Sequence, residues 1–374
     1  MEKRIKVLLY SHYFYPALGG LENVSLTLAE GFTQNQIDCK VITTSPDNGT
    51  KSFPFEVIRN PKTKQQIDLV KWCDIVLFNG ASLALQPWVV FYNKPFIWVH
   101  QSYLVSCIDG LGWVEGEKAP LKPFASFLYH TRLKGVRWGV TQGLKLSIKR
   151  LFAKCFVKKN VAITKWVQDI EPLPRQIQIY NPFPLDQFLS NNNNNPEYDF
   201  IYLGRIVSEK GVSTLLKAFA KLHQKISYNP KLLLVGDGNW RPKMESLANK
   251  LNISEFITFA GKKSGSELVE FVSKGKIAVV PSEWYEPMGG VALELMAAGK
   301  ILIVSEFGGL KECVEDAGLT FPNGDFEALS NCMLKLLEDE GLQNELKLRG
   351  KERIKLFHPS IFVAQYIDLI KQLL

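Results

Sequence analysis

A chain of 374 residues exceeds what one ordinary hydrophobic core organises, so two domains are expected. Hydrophobic residues make up 46% and charged residues 22%, which excludes a disordered chain, and no window of the sequence stays apolar for the length of a membrane span. The net charge of +8 is unevenly placed: twelve Lys or Arg and no Asp or Glu fall between Lys118 and Gln168, leaving 33 basic against 37 acidic residues elsewhere.

Taken from the amino terminus, the apolar run Ile5–Tyr10 predicts a strand and is too short for a signal-peptide core. A helix is expected from Gly20, with Leu21, Val24, Leu28 and Phe32 on one stripe. Further strands are expected at Cys39–Thr44, Asp74–Asn79, Phe96–Val99 and, more weakly, Val161–Thr164. These runs lack polar alternation, as strands covered on both faces should. The six cysteines show no C-x-x-C and no metal-type spacing, so reduced thiols and a cytoplasmic setting are expected.

Within the basic segment, Leu144, Ile148, Leu151, Phe152 and Cys155 recur at helical spacing beside Lys145, Lys149, Arg150, Lys154 and Lys158. The plain expectation is a helix packing that apolar stripe on the first domain, with a solvated basic face. The sharper one is a surface for anionic membrane headgroups, with Phe124, Phe127, Tyr129 and Trp138 fitting an interface. Nucleic acid fits less well, because no recognition motif accompanies the charge.

The stretch Leu189–Asp199 contains five consecutive asparagines and predicts a surface linker. After it the strand–helix rhythm restarts: "FIYLG", a helix over Ser208–Gln224, "KLLLVGDG", "KIAVVPS", "GKILIVSE", a helix over Asp325–Leu342, and an amphipathic helix from Pro359. Two doubly wound parallel-sheet units of α/β class are therefore expected, with ligands at the carboxyl ends of their strands, in a cleft between them.

The stretch "SEWYEPMGGVALELMAAGK", Ser282–Lys300, carries Glu286 in a Pro/Gly loop and Glu294 about one turn inside the following helix. Free N–H groups at such a helix start attract an anion, and a carboxylate one turn along can accept two hydrogen bonds from a ribose diol. Its E-P-M-G-G-V-A-L-E pattern resembles the E-x7-E signature of retaining glycosyltransferases of family 4, the group 1 glycosyltransferases with the GT-B fold. Met288 and Leu295 depart mildly from the typical family stretch.

"YLGRIVSEKG" resembles that family's phosphate-binding segment, which implies that Arg205 and Lys210 hold the diphosphate and stabilise its departing charge. "VGDG" resembles its nucleoside-side turn, with Gly236 and Gly238 allowing close backbone approach. The resemblance further places Gly19 and Gly20 over the diphosphate and His100 against the donor sugar, and Glu286, Met288, Gly289, Gly290, Val291 and Glu294 around the donor. A lone histidine after a buried strand is otherwise a hydrogen-bonded core residue. "YNPFP", with Pro182, Phe183 and Pro184, departs from the family pattern, so the resemblance is patchy over residues 5–190 and dense over 200–320.

What the resemblance implies is an acceptor domain at 1–186, joined by a crossover helix at 357–374, and a nucleotide-sugar donor domain at 187–356. It implies a sugar moved with retention from a nucleoside diphosphate, UDP-linked, to a glycan or glycolipid acceptor, without metal or other cofactor. A bacterial surface polysaccharide, lipopolysaccharide or O-antigen pathway on the inner face of the membrane is the expected setting. A nucleotide-sugar epimerase of the same fold and a non-catalytic sugar-nucleotide or glycan-binding protein are the alternatives. A dehydrogenase is disfavoured, since neither half has G-x-G-x-x-G after its first strand.

Overall fold

The computed structural model describes residues 4–16, 19–47, 51–80, 82–189 and 196–374. The chain forms two compact units, one of Met1–Val114, Lys118–Pro184 and Phe357–Leu374, the other of Glu115–Glu117 and Leu185–Leu356. The asparagine run expected as a linker lies outside the described residues.

In the first unit the elements are β1 (Lys6–Ser11), α1 (Gly20–Gln34), β2 (Asp38–Thr43), β3 (Glu56–Arg59), α2 (Thr63–Trp72), β4 (Ile75–Asn79), α3 (Gln86–Phe91) and β5 (Phe96–His100). There follow a two-stranded ladder of β6 (Trp113–Val114) and β7 (Glu117–Lys118), then α4 (Pro123–Lys134), α5 (Val136–Cys155), β8 (Lys159–Ala162), α6 (Lys165–Ile170) and β9 (Gln176–Gln178). The seven-stranded sheet has the order β3-β2-β1-β4-β5-β8-β9. Its register pairs Val7 of β1 with Cys39 on one side and Ile75 on the other, both in parallel. Val7, Leu8 and Leu9 are all fully buried, which is why this strand reads as an unbroken apolar run.

The second unit begins with α7 (Asp186–Leu189) and continues through β10 (Tyr198–Leu203), α8 (Val212–His223), β11 (Leu232–Val235), α9 (Arg241–Lys250), β12 (Ile257–Gly261), α10 (Gly265–Ser273) and β13 (Gly275–Val280). It ends with α11 (Gly290–Ala297), β14 (Ile301–Ser305), α12 (Gly309–Val314), β15 (Gly318–Phe321), α13 (Phe326–Glu338) and α14 (Glu340–Arg353). Its parallel six-stranded sheet has the order β12-β11-β10-β13-β14-β15. Both sheets thus run outward from a central first strand in opposite directions, and the reversal falls between β1 and β4 in one and between β10 and β13 in the other. At such a reversal the loops after the two neighbouring strands diverge and leave a crevice.

The last helix, α15 (Pro359–Leu373), belongs to the first unit, where it packs on α1. A Cβ on Gly31 of α1 would lie 2.5 Å from Val363, so the missing side chain sets the approach of the two helices.

Three expectations are corrected. The helix expected from Ser208 starts at Val212, because Ser208–Lys210 form a 3-10 turn and Gly211 adopts the left-handed conformation at φ 68°. The helix expected over Asp325–Leu342 is two helices, parted at Asp339, whose side chain accepts from Leu342 N–H and caps the second. The apolar stripe of α5 packs inward only at Phe152: Leu144 and Leu151 are exposed, while Gly139, Leu146 and Ala153 form the buried face.

Candidate active site

The reversal point of the second unit brings together two loops distant in sequence. After β10, Gly204 turns the chain and Arg205 and Lys210 follow; after β13 come Ser282, Glu283, Trp284 and Glu286. Their backbones are tied, since Glu209 C=O accepts from Glu283 N–H at 3.0 Å. Gly211 makes the closeness possible, because a Cβ there would fall 1.9 Å from the Pro281 carbonyl oxygen. Glu283 then accepts from the hydroxyls of Thr214 and Ser213 beside the start of α8, where a carboxylate is favoured.

Glu286 is nearly enclosed, at 8% exposure, and one of its oxygens is saturated by protein. Oε1 accepts from Lys210 Nζ at 2.5 Å and from Ser282 Oγ at 2.7 Å. Oε2 has no donor among the described residues. The backbone is pinned as well: Gly309 N–H donates to Glu286 C=O, and Gly308 at φ 116° approaches the Glu286 backbone too closely for any side chain. Lys210 lies 5.3 Å from the Trp284 ring centroid, a second stabilisation for a cation just outside a helix N-terminus.

Glu294 is different. It sits in α11, one turn past Gly290, half-buried, with no hydrogen bond or ion pair among the described residues. Burial raises its carboxyl to about 7, and no charged neighbour contributes. A half-buried carboxylate with no partner is free to accept hydrogen bonds from a bound molecule. Gly289 caps the helix without a side chain, leaving the N–H groups of Gly290 and Val291 unobstructed by a capping group, while Met288 is buried beneath them.

Arg205 is 68% exposed on its side chain and pairs with Glu209 at 3.2 Å. The glycines of the "VGDG" turn also answer to the protein's own packing. A Cβ on Gly236 would lie 1.8 Å from Gly204 O, and one on Gly238 2.2 Å from Ile206 O. What they let approach is the protein's own 204–206 segment, and Ile206 N–H donates to Asp237 C=O at 2.9 Å. They brace the loop that carries Arg205.

The expected residues of the first unit lie in different surroundings. Gly19 and Gly20 start α1, with the Glu22 carboxylate folded back over Gly19. His100 ends β5 but lies inside the unit, at 2% exposure, stacked on Trp98. Asn160 donates both its amide hydrogens to Ala153 and Pro174 carbonyls, so its Oδ1 accepts from His100 Nε2 at 2.9 Å. Burial lowers the His100 pKa to about 4, the Asn160 bond opposing. That is the setting of a neutral core histidine, not of one open to solvent. A polar chain that the sequence did not reveal runs from Ser11 through Ser25 and Asn79 to Gln101 and Asn181, at the carboxyl ends of β1 and β4 and beyond β5.

Among the described residues no three His, Cys, Asp or Glu gather as metal ligands, and no helix is long and apolar enough to cross a membrane.

A profile of the family described as "Glycosyl transferases group 1" matches residues 186–353. An uncharacterized glycosyltransferase of Methanocaldococcus jannaschii is 35% identical over 224 residues, 57% of this chain and 60% of that protein. The lipopolysaccharide core biosynthesis glycosyltransferase LpsD of Rhizobium meliloti is 30% identical over 170 residues, 45% of this chain and 47% of that one. The chain spans from 29% to 60% of the length of the first curated relatives it matches. Among solved structures, HepE of Anabaena in complex with UDP superposes with a TM-score of 0.74 at 17% identity, covering 99% of this chain and 100% of that one. Sucrose-phosphate synthase of Thermosynechococcus elongatus gives 0.74 at 21% identity over 99% of both chains. These likenesses establish a GT-B fold, and residues 186–353 are similar to the group 1 glycosyltransferase family.

Proposed function

We propose that this protein is a retaining glycosyltransferase that moves a hexosyl or related sugar from a nucleoside-diphosphate sugar, UDP-linked, to a glycan or glycolipid acceptor. The observation that carries the reading is the pair of carboxylates eight residues apart with opposite states: Glu286 half-satisfied by Lys210 and Ser282, Glu294 wholly unpartnered. Glu294 suits a ribose diol; Oε2 of Glu286 suits a hydroxyl of the transferred sugar. Arg205 and Lys210 face the charge that grows on a departing diphosphate, the work a metal ion does elsewhere, so the reading needs no metal or other cofactor.

Retention follows if the acceptor attacks on the face the diphosphate leaves, with a phosphate oxygen taking the acceptor's proton. In that mechanism Glu286 orients the sugar through Oε2 and forms no covalent intermediate, while Lys210 and Ser282 hold Oε1. The solved HepE structures in complex with UDP and UDP-glucose support uridine as the base. The LpsD relative supports a surface-polysaccharide or lipopolysaccharide acceptor. Segment 118–168, basic throughout, supports attraction to the anionic inner face of a cell membrane.

The test is calorimetric binding of UDP, GDP and NAD in EDTA, repeated with Arg205→Ala. Tight binding of one diphosphate that the variant loses supports the reading. Binding unchanged in the variant, or absent without metal, rejects this placement of the phosphates.

A further inference from the structure

We propose that the α4–α5 helical hairpin is an in-plane membrane-insertion element, its apolar face entering the acyl region of an anionic bilayer rather than only adsorbing to headgroups. This rests on the membrane reading above and sharpens it.

The two helices meet at Gly135, φ 88°, and pack closely through small residues. A Cβ on Gly139 would fall 2.1 Å from Thr131 Oγ1, and one on Gly143 2.7 Å from Phe127 Cδ2. With Leu146 and Ala153 buried on that side, α5 has its packing face settled. Another face is left over. Val136, Val140, Leu144, Ile148 and Leu151 recur at three- and four-residue steps, the first 70% and the third 62% exposed. Phe124 of α4 is 72% exposed as well.

Nine of the eighteen large hydrophobic side chains exposed among the described residues lie between Phe124 and Phe156. An apolar patch gathered this way marks an interaction surface. The stripe runs about 22 Å along α5 from Val136 to Leu151, by helical rise. The helix also carries Arg137, Lys145 and Lys154, all exposed, so it lies in the interface rather than crossing it.

Charge decides the occupant. Nine of the twelve basic residues between Lys118 and Gln168 are exposed, with no acidic residue among them. Burial chiefly lowers the pKa of Lys149, and the nearby Lys145 lowers it further. A second copy of the chain laid on this stripe would bring like charges together, Arg137 and Lys154 lying on the stripe's own side of α5; an anionic bilayer offers hydrocarbon and opposite charge at once. At the hairpin turn a shallow cavity of about 460 Å³ is lined by Lys134, Arg137 and Trp138, with Lys134 Nζ 5.0 Å from the Trp138 ring, an arrangement suited to the headgroup level.

Cys155, exposed at the end of α5, accepts a thiol-reactive polarity-sensitive dye in a protein whose other cysteines are buried or half-buried. The experiment compares the wild type with Val140→Asp/Leu144→Asp on vesicles of zwitterionic lipid alone and with 30% phosphatidylglycerol, at 0.05 and 0.5 M NaCl. Insertion predicts a blue-shifted dye, quenched by lipids brominated on the acyl chain, and retention of bound wild type in 0.5 M NaCl. The double variant should bind at least tenfold more weakly and lose the quenching. UDP binding and thermal melting are measured on both proteins, and Leu144→Ser, which adds no charge, should show the same direction of change. Salt-reversible binding with no quenching and no effect of the variants overturns insertion and leaves electrostatic adsorption standing. No binding to either vesicle overturns both. A concentration-dependent dimer broken by Leu144→Asp gives the stripe to a second copy and overturns the proposal.

Discussion

The sharpest quantitative consequence lies at Glu294. Its carboxyl titrates at about 7, raised by burial alone. From that value roughly a tenth of the molecules carry the charge at pH 6 and about nine tenths at pH 8. If the ionised form accepts the ribose hydroxyls, UDP-glucose, which has no group titrating in this range, should bind about tenfold more weakly at pH 6 than at pH 8. Glu294→Gln should flatten that dependence and bind about tenfold more weakly at pH 8, because an amide replaces a charged acceptor. Stability should move the other way. The folded-state value lies above the unfolded 4.5, so this group's contribution is full below about pH 4.5 and is lost as pH rises through about 7. The full swing is at most about 3 kcal/mol. Glu294→Gln should thus melt at higher temperature than wild type at pH 8 while binding less. Isothermal titration at three pH values with matched melting curves measures both. A wild-type affinity independent of pH, or a variant that binds as tightly as wild type at pH 8, refutes the assignment of the diol to this carboxylate.

Lys210→Met removes the cation from Glu286, leaving Ser282 as its one protein donor, and should cost about 2 kcal/mol in urea unfolding and abolish diphosphate binding. Gly211→Ala places a methyl 1.9 Å from Pro281 O at φ 68°, so it should destabilise by about 2 kcal/mol or more and weaken UDP binding by shifting the 281–286 loop. Glu171, whose carboxyl burial raises to about 8 against the opposing effects of Ser106 and Arg150, should yield a protein more stable at pH 7 by up to about 3 kcal/mol as Glu171→Gln. His100 should stay neutral down to about pH 4 by NMR titration; its folded value lies below 6.5, so its stabilisation holds above pH 6.5 and fades as pH falls toward 4.

The strands readable in the sequence and those that were not divide by their place in the sheets. Interior strands such as β1 "KVLLYS" and β14 "ILIVS" are buried along almost their whole length and stand out as apolar runs, whereas interior β8, "KNVA", carries Lys159 and Asn160 and was expected two residues late. In the two parallel sheets the strands that passed unread, β3, β9, β12 and β15, are the four edges, and the short β6–β7 ladder passed unread as well. β3 "EVIR" and β9 "QIQ" have one side open to water, so selection for burial leaves them short and mixed. The same limit applied to α5. Periodicity found Leu144, Ile148 and Leu151 of the exposed stripe, missed Val136 and Val140, and carried no information about which face the rest of the protein would cover. Gly139 and Gly143, silent in any hydrophobic count, settled that through backbone proximity to α4.

At the site, single-segment features were legible and pairings were not. Glu286, the Gly289–Gly290 start of α11 and the position of Glu294 one turn along all follow from 19 consecutive residues, Ser282–Lys300. That Lys210 meets Glu286 depends on residues 76 apart in the chain, brought together because β10 and β13 are neighbours at the reversal of strand order. This topology also explains why the spacing of the carboxylates matters. The loop after β13 is fixed at Glu286 by Lys210, Ser282 and Gly309, and α11 begins at Gly290, just after Gly289, where a Cβ would meet Leu310 at 2.9 Å. Eight positions then separate a carboxylate locked to a cation from one deliberately left without a partner. The first is held in place by the fold, and the second is held in readiness by burial, so a ligand that supplies hydroxyl donors to Glu294 relieves a cost the folded protein already bears.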